Sequence, residues 1–213
     1  MVEIPSKEEM YCALEERYGV ETQKKFSEAS VAICGLGGLG SNIAIMLARA
    51  GIGRLHLMDY DRVDISNLNR QQYIVSQLGM YKTQALRDTL QAIAPYCEVT
   101  IDTLRITEQN IKELLSGETI ICEAFDKAEE KAMLVNGVME NFPDKYLISG
   151  SGMSGFSSAN SIQTRKVTDH LYICGDEVSD IEDGIGLVAS RVTLCAAHQA
   201  HMILRILLQK YEP

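Results

Sequence analysis

Ser30-Val31-Ala32-Ile33-Cys34-Gly35-Leu36-Gly37-Gly38-Leu39-Gly40-Ser41-Asn42-Ile43-Ala44-Ile45-Met46-Leu47-Ala48-Arg49 is the stretch whose reading decides the fold. An apolar, β-prone run leads into a glycine turn, and the turn leads into a helical run. That order points backbone N–H groups at a helix N-terminus, where the dipole favours negative charge and phosphate oxygens bind. Gly35 permits the tight turn, Gly37 lets the backbone approach a phosphate, and Gly40 lets helix and strand pack closely. Gly38 completes the cradle. A plain structural turn is the competing reading of the glycines alone. A second strand, Arg54-Leu55-His56-Leu57-Met58, ends in Asp59. A carboxylate about 20 residues past the glycines is placed to bind ribose. The pair predicts a mononucleotide-binding half of a doubly wound sheet, with a dinucleotide or ATP as ligand.

The chain has 213 residues, which suits one α/β domain over 1–213 with a sizeable core. Its formal net charge of −9 argues against a general nucleic-acid surface and against an anionic membrane surface. No N-terminal stretch pairs basic residues with an apolar core, and no apolar run approaches a membrane span. A soluble, cytoplasmic protein is expected. The six cysteines form no C-x-x-C pair. Cys34, Cys97 and Cys122 fall at predicted strands, where a buried thiol acts as a small apolar residue. His198 and His201 stand three apart on a predicted helix, a spacing more often packing than metal.

Strand patterns at 30–34, 54–58, 97–102, 119–123 and 146–149 alternate with helical patterns at 40–51, 82–94, 107–115 and 127–141. Helices are also expected at 7–17 and 22–28. This alternation predicts a Rossmann-like, doubly wound, mostly parallel sheet. Beyond Gly150, short strands at 161–167 and 171–174 predict an antiparallel C-terminal extension, and an apolar helix covers 189–208. The segment 175–184 holds five acids, two glycines and no base, which reads as a mobile surface loop.

The long connection after the second strand reads Asp59-Tyr60-Asp61-Arg62-Val63-Asp64-Ile65-Ser66-Asn67-Leu68-Asn69-Arg70-Gln71, and Lys82 opens the next helix. The fourth strand ends in Glu123-Ala124-Phe125-Asp126. In a parallel sheet all of these leave the carboxyl edge beside the glycine turn. Asp59, Asp61, Asn67, Arg70, Gln71, Lys82 and Asp126 therefore converge on one nucleotide site. Arg70 offers a planar fork for phosphate oxygens and Lys82 a point charge. Asp126 suits Mg²⁺, which prefers one or two carboxylates plus substrate phosphates. The set fits a triphosphate better than a nicotinamide dinucleotide. An NAD-dependent oxidoreductase is the rival reading, and it leaves Arg70, Lys82 and Asp126 without a task.

Gly-x-Gly-Gly-Leu-Gly-Ser followed by Asp-x-Asp-x-Val-Asp-x-Ser-Asn-Leu-Asn-Arg-Gln resembles the ThiF/MoeB/HesA family of ubiquitin-activating-like enzymes, from about Arg17 to the last helix. The resemblance implies ATP- and Mg²⁺-dependent adenylation of the C-terminal glycine carboxylate of a ubiquitin-like sulfur carrier ending in Gly-Gly, with release of pyrophosphate. It implies that Asp59 binds the ribose hydroxyls, that Asn67, Arg70 and Lys82 contact phosphates, that Asp126 holds Mg²⁺, and that Gln71 is a supporting polar contact. It also implies a homodimer in which an N-terminal arginine reaches the γ-phosphate of the other protomer. Arg17 is the candidate, although Arg-Tyr-Gly-Val-Glu departs from the family's arginine-glutamine element. Relatives often carry two C-x-x-C pairs for zinc; this chain has neither, so no zinc and no appended rhodanese-like domain are expected. Lys127 stands where asparagine is common. The chain is most similar to the short ThiF branch, which implies the ThiS carrier of thiamine biosynthesis. The molybdopterin-synthase carrier and a tRNA-directed relative are the alternatives within the family. By analogy, loop 175–184 is the crossover segment over the carrier's tail. Cys174 beside it is the residue to weigh for a covalent link to the carrier, although the neighbouring acids disfavour its thiolate.

Overall fold

The computed structural model of the protein describes residues 4–180, 184 and 186–213. Its seven strands are β1 (Ser30–Cys34), β2 (Arg54–Met58), β3 (Glu98–Asp102), β4 (Ile120–Glu123), β5 (Tyr146–Gly150), β6 (Gln163–Lys166) and β7 (Leu171–Gly175). Its helices are α1 (Lys7–Tyr18), α2 (Val20–Glu28), α3 (Gly38–Arg49), α4 (Lys82–Ile93), α5 (Ile111–Leu114), α6 (Ala128–Asn141) and α7 (Ala189–Leu207).

The strands form one sheet in the order β3-β2-β1-β4-β5-β7-β6. From β1 the chain winds outward through β2 to β3, then crosses back and winds the other way from β4. That reversal opens a crevice at the carboxyl ends of β1 and β4, where doubly wound sheets bind ligands. Both faces of the central strands are covered. Val31 and Ile33 of β1 pack into a core with α3, α4 and α7, while Ala32 and Cys34 pack into a second core with α5 and α6. Two-sided burial explains why these strands read as continuous apolar runs rather than alternating ones.

The C-terminal extension is a mixed one. β7 runs parallel to β5, and only β6 is antiparallel, paired with β7. β5 presents a free edge, so the returning chain extends the parallel array before turning back. α5 covers four residues of the expected 107–115, because Asn110 turns its side chain onto the local backbone. Its Oδ1 accepts from Thr107 N at 2.8 Å and its Nδ2 donates to Arg105 O at 2.9 Å, a competitor to helical bonding. Among the described residues no helix is long and apolar enough to cross a membrane.

Candidate nucleotide and acceptor site

The glycine turn is fixed by backbone contacts. Gly35 adopts φ +93°, and its N–H donates to Met58 O of β2 at 2.8 Å. A Cβ on Gly40 would lie 1.9 Å from the Gly35 carbonyl oxygen, so only glycine lets α3 start this close to β1. α3 begins at Gly38 and has no side-chain N-cap. Its first-turn N–H groups lack intrahelical partners and point into the crevice.

Asp59 ties the turn to the long connection. Its Oδ2 accepts from Leu36 N and its Oδ1 from Asp61 N, both at 2.7 Å. Burial raises its pKa, and these N–H donors and nearby Lys82 oppose the rise. Lys82, buried at the start of α4, places Nζ 2.8 Å from Asp61 Oδ2. Arg70 donates through Nη1 to Ser66 O at 3.1 Å and to Asn69 Oδ1 at 2.8 Å. Asn67 spends its Oδ1 on Asp64 N at 2.9 Å, which shapes the 3₁₀ turn that carries Arg70.

One cavity of about 680 Å³ gathers these groups. Gly35, Gly37, Gly38, Asp59, Asp61, Asn67, Arg70, Gln71, Lys82 and Asp126 all line it. Gly40 lies behind the wall in a packing role. Arg17 is exposed in the last turn of α1 and is absent from the lining. Two buried polar atoms in this region, Arg70 Nε and Gln71 Oε1, have no hydrogen-bond partner. Buried polar groups are normally satisfied, so this pair marks a place where a polar ligand completes the structure.

Other lining residues escaped the reading of the sequence. Leu104, Ile106, Phe125 and Val135 form an apolar slot beyond Asp59. The end of the third strand, by the carboxyl-edge rule, was the signal that pointed to Leu104 and Ile106. Lys131 of α6 also lines the cavity, and its Nζ lies 2.5 Å from Oε2 of fully buried Glu123. Another part of the lining is small and polar: Ser149, Gly150, Ser151 and Gly152, together with Glu177, Val178 and Ser179.

One expectation is corrected. Cys174 is not at an accessible loop edge. It is fully buried on β7, and burial pushes its thiol up to about 12, against a hydrogen bond with Thr164. In the acidic segment Glu177, Val178 and Asp180 are exposed, while Asp176 is ion-paired with Arg191 and Glu177 with Arg165. Residues 181–183 of that segment lie outside the described residues. His198 bonds Thr164 through Nδ1 at 2.9 Å, a packing role. Among the described residues no group of three or more His, Cys, Asp or Glu is arranged to hold a metal ion.

Comparison with known proteins gives this geometry a family. The chain is 37% identical over 138 residues to the adenylyltransferase and sulfurtransferase MOCS3 of Drosophila yakuba, a match covering 64% of this chain and 30% of that protein. It is 42% identical over 93 residues to the ubiquitin-like modifier-activating enzyme 5 of Caenorhabditis elegans, covering 43% of this chain and 22% of that one. The matches thus take in less than a third of these longer proteins. In fold it is similar to the tRNA N6-threonylcarbamoyladenosine dehydratase TcdA of E. coli, solved in complex with ATP, at a TM-score of 0.86 and 22% identity over 99% of this chain and 98% of that one. The family model described as the ThiF family matches residues 11–213, and on that match the chain belongs to the ThiF family.

Proposed function

We propose that this protein transfers AMP from ATP to the C-terminal glycine carboxylate of a ubiquitin-like carrier. The observation that carries the reading is the continuity of the cavity: one lining joins the glycine turn, Asp59, Arg70 and Lys82 to the small, polar stretch Ser149–Gly152. In this reading the base occupies the slot of Leu104, Ile106 and Phe125, and Asp59 takes the ribose hydroxyls. The α3 N-terminus, Arg70 and Lys82 receive the phosphates. Arg70 Nε gains an acceptor among the phosphate oxygens, whereas Gln71 Oε1, itself an acceptor, is open to a ligand hydroxyl or N–H.

An extended Gly-Gly tail has no side chains to clash with the small residues Ser149–Gly152. Its carboxylate oxygen attacks the α-phosphorus while the bond to the β-phosphate oxygen breaks and pyrophosphate leaves. No proton moves in this step. Arg70 and Lys82 stabilise the charge that develops on the departing oxygens. Asp126 fits a hard cation: it is exposed at the cavity wall and makes no hydrogen bond or ion pair among the described residues. Asp126 would hold Mg²⁺, which supplies neutralisation of phosphate charge. Arg17, exposed on α1, is the arginine that a second protomer of a homodimer would contribute.

The names of MOCS3 and of the ubiquitin-like modifier-activating enzyme support this class of chemistry. Within it we favour a ThiS-type carrier of thiamine biosynthesis, because the chain lacks both C-x-x-C pairs of the zinc-binding branch. The likeness to TcdA supports a tRNA-directed relative as the second reading. ATP–pyrophosphate exchange, with ThiS-type and molybdopterin-synthase-type carriers and bulk tRNA added separately, tests all three. Exchange dependent on one carrier, and lost in Asp126→Ala, is expected. Exchange stimulated only by tRNA overturns the carrier reading.

A further inference from the structure

Arg191 lies in the first turn of α7, outside every motif that identifies the nucleotide site. Its side chain is 5% exposed and its ionic partner Asp176 is 8% exposed. The guanidinium joins three segments of the chain. Nη1 donates to Ser157 O at 2.8 Å and Ser158 O at 2.7 Å. Nη2 donates to Ser161 Oγ at 3.1 Å and to Asp176 Oδ2. The other oxygen of Asp176 accepts from Val178 N at 3.0 Å, Ser179 N at 2.9 Å and Ser179 Oγ at 3.0 Å. A planar five-donor group suits this many fixed acceptors, and an ammonium does not.

The segments so joined, 151–154 and 176–180, both line the cavity and are bonded directly to each other. Asp176 N donates to Gly152 O at 2.9 Å and Glu177 N to Ser151 O at 3.0 Å. Ser154 N donates to Ser179 Oγ at 3.1 Å, and Ser154 Oγ to Asp180 O at 2.7 Å. A Cβ on Gly152 would lie 2.1 Å from Asp176 Oδ1, so glycine there makes room for the clasp. On the outer side, Arg165 grips Glu177 with two bonds, of 2.7 and 2.5 Å. Buried ion pairs contribute little net stability against apolar replacements, and their best-attested use is to fix geometry.

We infer that the Arg191–Asp176 clasp is a positioning device for the acceptor: it locks segments 151–154 and 176–180 together as one part of the cavity wall, and so sets the alignment of the incoming carboxylate, without touching the nucleotide. This rests on the adenylation reading. In-line attack tolerates little misplacement; a shift of about 1 Å can cost on the order of 100-fold. The nucleotide end is held by other bonds, through Asp59, Tyr73 and Asn42.

The test uses Arg191→Lys, Asp176→Asn and the milder Ser179→Ala, which removes one hydroxyl and leaves no unpaired buried charge. Three quantities are read for each: amide hydrogen exchange at Val178 and Ser179, ATP–Mg²⁺ affinity by calorimetry, and KM and kcat for a ThiS-type carrier ending in Gly-Gly in pyrophosphate exchange. Faster amide exchange, unchanged ATP affinity and a carrier KM raised roughly tenfold or more in Arg191→Lys and Asp176→Asn are expected, with a smaller rise in Ser179→Ala. Parallel loss of ATP affinity makes the pair a general fold element and overturns the inference. Unchanged carrier KM also overturns it. Absence of exchange by the unaltered protein with that carrier is a separate result, and defeats the adenylation reading itself.

Discussion

Lys82→Met separates binding from folding at the nucleotide end. The lysine side chain is 7% exposed, and its partner Asp61 is 50% exposed. Methionine fills nearly the same volume, and volume-conserving swaps usually cost less than about 1.5 kcal/mol. The lost ion pair contributes little, because half-exposed Asp61 keeps its water; such pairs are worth about 0–1 kcal/mol after screening. Removing the buried ammonium also removes its desolvation cost. The net change in stability is therefore within about 1 kcal/mol, or roughly 2–4 °C in Tm for a chain of this size. Binding behaves differently. A hydrogen bond to a charged phosphate oxygen is worth about 1.5–3 kcal/mol, which weakens ATP by roughly 10- to 150-fold. Calorimetric titration with ATP–Mg²⁺ alongside thermal melting gives both quantities. An unchanged Kd refutes the assignment of Lys82 to the phosphates. A large fall in Tm means that the lysine is a structural residue, and the reasoning from exposure fails.

Gly40→Ala forces a Cβ to within 1.9 Å of the Gly35 oxygen, where an ordinary contact is about 3.3 Å. It should cost about 1–3 kcal/mol, read as a Tm drop of roughly 2–12 °C. Gly117→Ala, with nothing within 4 Å, is the control and should leave Tm unchanged. His56 predicts a pH dependence: burial lowers its pKa, but hydrogen bonds and charges from Glu118 and Asp102 outweigh burial and raise it above the ordinary value. A raised folded value means the stabilisation is complete below the unfolded value of about 6.5 and is lost as pH rises through the folded value. The Tm gap between the protein and His56→Gln should therefore narrow from about pH 6 to 9; a gap that widens contradicts the sign. Cys12 is exposed and the other five cysteines are buried, so iodoacetamide on the folded protein should label Cys12 alone by mass spectrometry. Native labelling of Cys174 would show that β7 opens.

What could be read from the sequence follows from how local each determinant is. The bounds of β1 and β2 were legible to the residue, because a strand buried on both faces is an apolar run bounded by turn residues. The glycine turn, Asp59, Arg70 and Lys82 were legible because the carboxyl-edge rule turns strand ends into neighbours. The parallel sense of β7 was not, since it depends on which sheet edge is free once β5 has docked. Nor were the partners of the acidic segment: Asp176 finds Arg191 fifteen positions on and Glu177 finds Arg165 twelve back, across strand pairings with no local signature. Cys174 reads as a loop-edge thiol until β6 covers the outer edge of β7.

Glu123 shows how the two ends of the cavity are made one object. Its side chain is 0% exposed, yet its oxygens take three partners. Oε1 accepts from Phe125 N at 2.7 Å, which fixes the turn that presents Asp126. Oε2 accepts from Ser149 Oγ at 2.5 Å, where the small polar stretch of the lining begins, and pairs with Lys131 on the cavity wall. Gln199 of α7 closes the arrangement from beneath, donating to Glu123 O at 3.0 Å and Ile148 O at 3.3 Å. A carboxylate in full burial is tolerated only when it is hydrogen-bonded and its charge is balanced, and here three donors, one of them the Lys131 ammonium, do both. An apolar residue at 123 would leave Phe125 N, Ser149 Oγ and Lys131 without their acceptor and would free the Asp126 turn from the Ser149 wall. On the proposed function, the buried carboxylate sets the distance between the Asp126 turn and that wall, the distance an in-line transfer must keep constant.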